Sequence, residues 1–194
     1  MTDPRTLGRD LLRRELADRI FDVFAESGFA EVTVEEAARA GGISRATFFR
    51  YFGSKEEVVV AALQRPGDAI PDLVRALPAL PGETAWQLLR RAHEPVAEHA
   101  EAHRLRLSAR VRMIMEHDSL QMHFAGSHAA REALLASALE PRMQHPAEAP
   151  AIAAAMLALL DLTWRTWATD GTQTFAAQLD SAMSAALGGG ALRP

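Results

Sequence analysis

The side chains best equipped for chemistry in this 194-residue chain lie between Thr33 and Lys55. Arg45 and Arg50 carry guanidinium forks that can grip guanine O6 and N7 bidentately or hold a phosphate, and the sequence leaves both roles open for each. Ala46 and the Thr47 methyl suit a thymine methyl group, and Phe49 lies on the same stretch. Tyr51 can bond or stack at a nucleic-acid backbone, and Lys55, at a helix start, is placed for a phosphate. Arg39, Arg45, Arg50 and Lys55 fall between Ala37 and Lys55 with no acid among them. Locality matters here, because a Debye length of about 8 Å at physiological salt screens distant charge. The whole chain has a net charge of −4, and residues 1–64 hold nine basic against eleven acidic residues. The total argues against a nucleic-acid partner and the patterning argues for one.

These residues need elements to present them. Thr33 and Ser44 are expected DNA-contact residues as well as caps; Thr33 can cap a helix, with Glu36 three residues on completing a capping box. Gly41-Gly42 allows a sharp reversal, Ile43 plugs the corner, and Ser44 caps the next short helix. Two helices joined steeply by a glycine turn form a helix-turn-helix, which places its second helix in the DNA major groove. Leu16, Ile20, Val23 and Phe24 recur at helical spacing as the buried stripe of a preceding helix, and Phe48 and Phe52 anchor the recognition helix to it. Arg5, Arg9, Arg13 and Arg14 form a basic lead-in, read as a tail or as a further backbone contact.

Residues from about Leu11 to Leu63 resemble the DNA-binding domain of TetR-family transcriptional regulators. The resemblance rests on Phe24, Gly28, Thr33-Val34, Gly42-Ile43-Ser44, Phe49-Arg50-Tyr51-Phe52 and Ser54-Lys55-Glu56. Ala37 stands where the family often has isoleucine, and Phe49 where it often has tyrosine, removing a hydroxyl that could bond a phosphate. The resemblance implies an all-α fold, with an N-terminal three-helix helix-turn-helix domain and a C-terminal helical domain for ligand binding and dimerisation. It also implies pairing through the last two long helices and a palindromic double-stranded DNA operator as partner. Thr47 to Phe52, the segment from Arg104 to Phe124, and Trp164 with Trp167 are together similar to actinobacterial TetR-type regulators associated with acyl-CoA-like ligands.

The expected division is 1–53 for the arm and helix-turn-helix domain and 54–194 for the effector and dimerisation domain. A connecting helix at 54–64, the sole candidate in sequence for coupling the two, begins the second, and a disordered tail at 188–194 ends it. The proline and glycine punctuation predicts further helices near 70–77, 83–99, 101–117, 119–144, 149–170 and 173–187, with kinks or ends at Pro95 and Pro141. The 149–170 stretch is apolar nearly all round at its start and needs cover from a partner as well as from its own domain. Trp86, Leu89, His93, Arg110, Met113, Met122, Phe124, Trp164 and Trp167 are the candidate effector residues, able to line an apolar cavity with a few polar handles. Arg104, Arg106, Arg110 and Arg112 could hold an anionic head group or pair at the surface.

His99 and His103 have metal-ligand spacing but no accompanying carboxylate-and-histidine motif, so no metal or other cofactor is expected. Gly-rich phosphate loops, nucleophile elbows and HExxH are missing from the sequence, which excludes the enzyme classes that use them. With no cysteine, no apolar leader and Ala151–Leu160 as the longest apolar run, a cytoplasmic protein without a membrane partner is expected. The function read from the sequence is a homodimeric, ligand-responsive regulator, in the first instance a repressor, released by a small apolar and anionic effector. A DNA-binding activator or constitutive binder with no small-molecule switch is the alternative.

Overall fold

The computed structural model describes residues 4–63 and 70–187, with the backbone alone at residues 4–7, 10, 62 and 63. Arg5, Ala62, the Leu63 side chain and the 188–194 tail therefore lie outside the described side chains. All regular elements among the described residues are helices. They are α1 (Pro4–Ser27), α2 (Val34–Ala40), α3 (Arg45–Tyr51), α4 (Lys55–Leu63), α5 (Ile70–Ala76) and α6 (Ala85–Ala92). Then follow α7 (Glu94–Ala102), α8 (Arg104–Glu116), α9 (Asp118–Gly126), α10 (His128–Leu139), α11 (Ala149–Asp170) and α12 (Phe175–Leu187).

Helix starts follow capping chemistry. Thr33 accepts a hydrogen bond from the Glu36 N–H at 3.2 Å, and the Glu36 carboxylate accepts one from the Thr33 N–H at 2.8 Å, the reciprocal box expected from the sequence. Ser44 caps α3 by accepting from the Thr47 N–H at 3.1 Å. Thr84 and Gln87 form a second box at the start of α6. The expected 83–99 helix is two helices that meet at His93, whose φ of −90° and ψ of 0° leave the helical range just before Pro95. The expected 119–144 helix is likewise divided, into α9, α10 and a short 3-10 turn at Glu140–Arg142 containing Pro141.

The chain forms two compact units. The first comprises residues 1–64 and 113–125, the second residues 65–112 and 126–194. This differs from the single boundary expected at 53/54. Helix α4 sends Val58, Val59 and Ala61 into the same core as Ile20, Phe21, Phe24, Phe48 and Phe52, so burial places it with the helix-turn-helix. Met113 and Leu120 join that core from far along the chain, which no local pattern announces. The second core gathers α5 to α7, the first part of α8, and α10 to α12 around Leu89, Leu139, Met156, Trp167, Phe175 and Leu179.

Helix α11 is long and apolar enough, by composition, to cross a membrane; its most apolar window has a mean hydropathy of 1.3. Ala153, Met156, Leu157, Leu160, Thr163 and Trp167 are buried, but only 33% of that apolar window is.

Candidate nucleic-acid interface and effector residues

Recognition helix α3 divides cleanly into two faces. Phe48 and Phe52 are buried beneath it, at 0% and 3% exposure. Arg45, Ala46, Phe49 and Arg50 are exposed and lie at one-and-four spacing, which puts them on one outward face; Thr47 and Tyr51 flank it, half-buried. Phe48 holds both neighbouring rings, with centroids 5.7 Å from Phe49 at 87° and 5.5 Å from Phe52. Exposed positions with a few convergent donors on a rigid, aromatic-anchored helix are what base-edge reading needs.

The turn that sets the angle of α3 uses its two glycines differently. Gly42 has a φ of +69°, which favours glycine. Gly41 is ordinary in φ, but a Cβ there would lie 3.1 Å from Ile20 Cδ1 and 3.2 Å from Cγ1. A side chain there would require Ile20 to give by a few tenths of an ångström where α2 meets α1. Ile43 N–H donates to the Ala38 carbonyl at 2.9 Å, closing the corner.

Thr33, Ser44, Arg45, Thr47 and Lys55, all expected contact residues, have hydrogen-bond or ion-pair partners in the protein, Ser44 and Thr47 with each other at the α3 cap. Thr33 is engaged in its capping box, and the Thr33 N–H and then its hydroxyl hold the Glu36 carboxyl below its ordinary range. Arg45 Nε lies 2.7 Å from Glu35 Oε1 of α2, so the acid-free stretch in sequence is not acid-free in space. Lys55 departs furthest from expectation. Its ammonium donates to the Phe29 and Val32 carbonyls, each at 2.8 Å, and sits 4.7 Å from the Phe29 ring centroid. It pins the α1–α2 loop rather than projecting as a bare phosphate ligand. Lys55→Met should lower stability by about 2 kcal/mol, because two carbonyls lose a charged donor. Urea denaturation measures this directly, and a lowered salt slope for DNA with unchanged stability would contradict it.

Sequence reasoning missed the residues that brace α3. Arg13 donates through Nε to the Tyr51 carbonyl at 3.0 Å and through Nη2 to Glu57 at 2.9 Å, while His123 Nε2 lies 2.9 Å from the other Glu57 oxygen. Arg13 belongs to a helix that begins at Pro4, not to a tail. The partners stand 38, 44 and 66 residues apart, beyond any periodic signal. Beside Glu57, burial raises the Glu56 carboxyl, but its own N–H and the hydroxyls of Ser54 and Ser119 outweigh that and hold it low.

The nine candidate effector residues do not share one compact unit. Met113 lies in the core of the first, Met122 is 70% exposed there, and Phe124 is half-buried. Trp86, Leu89, His93, Arg110, Trp164 and Trp167 belong to the second, where Leu89, His93, Arg110 and Trp167 are buried. Trp164 and Trp167 pack around Phe175, with centroid distances of 4.4 and 5.8 Å. Trp167 Nε1–H donates to Glu101 at 2.9 Å, and the same carboxylate accepts from the Phe175 N–H at 2.7 Å. Burial raises the Glu101 carboxyl, yet the Phe175 N–H, Arg104 and Trp167 together hold it below the usual range. In the basic run, Arg104 pairs with Glu101 and bonds the Gln173 carbonyl, and Arg112 bonds the Ala168 carbonyl. Those two arginines tie α8 to the α11–α12 end. The rings of His99 and His103 are 4.3 Å apart, and no group of three metal-ligating side chains occurs among the described residues.

Residues 16–62 match the family model described as bacterial regulatory proteins, tetR family. The chain is 36% identical over 81 residues to the HTH-type transcriptional regulator BetI of Rhizobium meliloti, covering 40% of each chain. It is 39% identical over 57 residues to the HTH-type transcriptional regulator EthR of Mycolicibacterium smegmatis, covering 27% of this chain and 26% of that one. The aligned part thus spans about a quarter to two fifths of these curated relatives. Among solved structures, the FadR repressor of Thermus thermophilus in complex with lauroyl-CoA superposes with a TM-score of 0.64 at 23% identity, covering 94% of this chain and 96% of that one. A TetR-like transcriptional regulator from Rhodococcus sp. RHA1 gives a TM-score of 0.52 at 25% identity, covering 92% and 97%. The likeness over the full length is one of fold.

Proposed function

We propose that residues 16–62, which match the tetR family model, are the DNA-binding domain of a homodimeric repressor of a palindromic operator, released by an apolar, anionic small molecule. The observation that carries the reading is the outward face of α3, with Arg45, Ala46, Phe49 and Arg50 exposed over a fully packed Phe48 and Phe52. The relatives are transcriptional regulators, not enzymes, and the protein is read as one.

Dimerisation is supported by two exposed stripes. On α11, Ala151, Ala155, Ala158 and Leu162 are exposed at intervals of four, three and four residues. On α12, Ala177, Ser181 and Ser184 begin the same pattern. Small side chains at that spacing let helices from a second copy approach closely. Two-fold symmetry then sets half-sites about 34–36 Å apart, or a multiple of it.

The effector side of the proposal rests on the second unit, where half-buried Trp86 and Trp164 pack against the core that holds Trp167. FadR of Thermus thermophilus, with its bound lauroyl-CoA, supplies the probe. A ligand alters DNA affinity only by binding the DNA-incompetent arrangement more tightly; typical couplings of about 1–3 kcal/mol lower operator affinity roughly 5–150-fold. The test is a tryptophan-fluorescence titration with lauroyl-CoA, paired with operator binding in its presence. Quenching with weakened operator binding, and operator DNA weakening lauroyl-CoA binding by the same factor, supports the switch. Lauroyl-CoA that binds and leaves operator affinity unchanged removes acyl-CoA as the signal and favours a constitutive binder.

A further inference from the structure

We propose that Glu35 is a positioning residue for DNA reading, which aims Arg45 at a guanine edge and leaves Arg50 as the phosphate contact of the recognition helix. The inference rests on the DNA-binding reading above and assigns the roles within it.

Arg45 is held on two sides. Its Nε lies 2.7 Å from Glu35 Oε1, and its guanidinium carbon lies 5.0 Å from the Phe49 ring centroid. The Phe49 ring is itself set edge-on against buried Phe48, so the aromatic support is anchored in the core. A guanidinium presents five donors in one rigid plane. The Glu35 carboxylate stands beside Nε as an ion-pair contact, and the two terminal nitrogens make no hydrogen bond among the described residues. Those two nitrogens are the pair that matches guanine O6 and N7.

The same carboxylate makes Arg45 a poor phosphate ligand. It offsets the arginine's charge and repels a phosphate brought beside it, whereas a base edge presents neutral acceptors. Arg50 has the opposite surroundings. It is exposed, has no ion pair among the described residues, and rests 5.6 Å from the Tyr51 ring centroid with its full charge available. Adjacent Glu36 cannot substitute for Glu35, because its carboxylate is taken by the Thr33 box.

The Glu35–Arg45 pair is well exposed, at 58% and 64% of side-chain area. Exposed pairs contribute little to folding, so removing Glu35 should leave the melting temperature unchanged and act on DNA reading alone.

The experiment uses the full chain and a pool of randomised DNA duplexes. The wild-type protein should enrich sites with one guanine in each half-site whose preference Arg45→Ala abolishes, a discrimination of about 5–150-fold. Glu35→Gln should weaken the preference at that same base pair about two- to tenfold, leave the other positions intact, and add nothing once Arg45 is already alanine. Arg50→Ala should weaken binding to all duplexes and lower the salt slope by roughly one unit. The proposal is overturned if Glu35→Gln leaves the guanine preference unchanged, or if it instead raises affinity for every duplex equally with a steeper salt slope. If the wild-type protein enriches no sequence, the DNA-binding reading fails with it, an outcome distinct from enrichment that ignores Glu35.

Discussion

A Leu162→Glu variant is expected to keep its fold, to run as a monomer in light scattering, and to bind operator duplex roughly a thousandfold more weakly than the parent protein. Leu162 is 50% exposed on α11 and sits on the stripe with Ala151, Ala155 and Ala158, so a carboxylate there is solvated in one copy and desolvated between two. Affinity falls by far more than one lost contact because each half-site is then read singly. Leu157→Glu provides the contrast. Leu157 is only 7% exposed and lies in the second core, on the side of this helix that its own domain covers. That variant should lose its fold rather than its partner. A folded, dimeric Leu162→Glu protein would move the interface to another face.

The second large effect is acid destabilisation through His93. This side chain is 2% exposed, and its Nδ1 lies 2.7 Å from the Leu89 carbonyl, so the neutral ring carries its proton on Nδ1. Burial pushes its pKa down to about 4, the nearby charges of Arg90 and Arg131 add to the shift, and the Leu89 carbonyl opposes it. The folded protein therefore takes up a proton less readily than the unfolded chain, where the ordinary value is 6.5. Stability is full above pH 6.5, falls as the pH drops from there, and levels off below the folded value. The total loss is roughly 3 kcal/mol. Glu36, Glu56 and Glu101, whose carboxyls are held below 4.5, lose their contributions only at lower pH. Urea denaturation of the parent and of His93→Leu between pH 7.5 and 5 isolates the effect. The parent should weaken relative to the variant across that range, and parallel losses would remove His93 as the cause.

His93 also marks where sequence reasoning stopped. Its type and neighbours suggested a polar handle in a ligand cavity, and only packing showed it enclosed between α6 and α7 within the second core. Elements bounded by local chemistry were legible: the Thr33–Glu36 box, the Gly42 turn, the Ser44 cap, the Phe48–Phe52 anchor and the full extent of α11 follow from residues within five positions of one another. Backbone conformation and caps are short-range, so their signals lie in adjacent letters. The break expected at Pro95 within 83–99 occurs on the same terms, with His93 taking the bend between α6 and α7.

What the sequence by itself determined was the all-helical class, the helix-turn-helix and the residues exposed on its second helix. Tertiary structure alone decided the division into units, since Met113 and Leu120 enter the first core through apolar contacts that carry no periodicity. It decided which charges are available as well. Lys55 is consumed by two loop carbonyls, Arg13 braces the recognition helix through Tyr51 and Glu57, and Arg45 meets Glu35 across the turn. A formal charge is written in the letters, but what a charge can do depends on the oxygen atoms within about 3 Å of it, and the fold places those atoms.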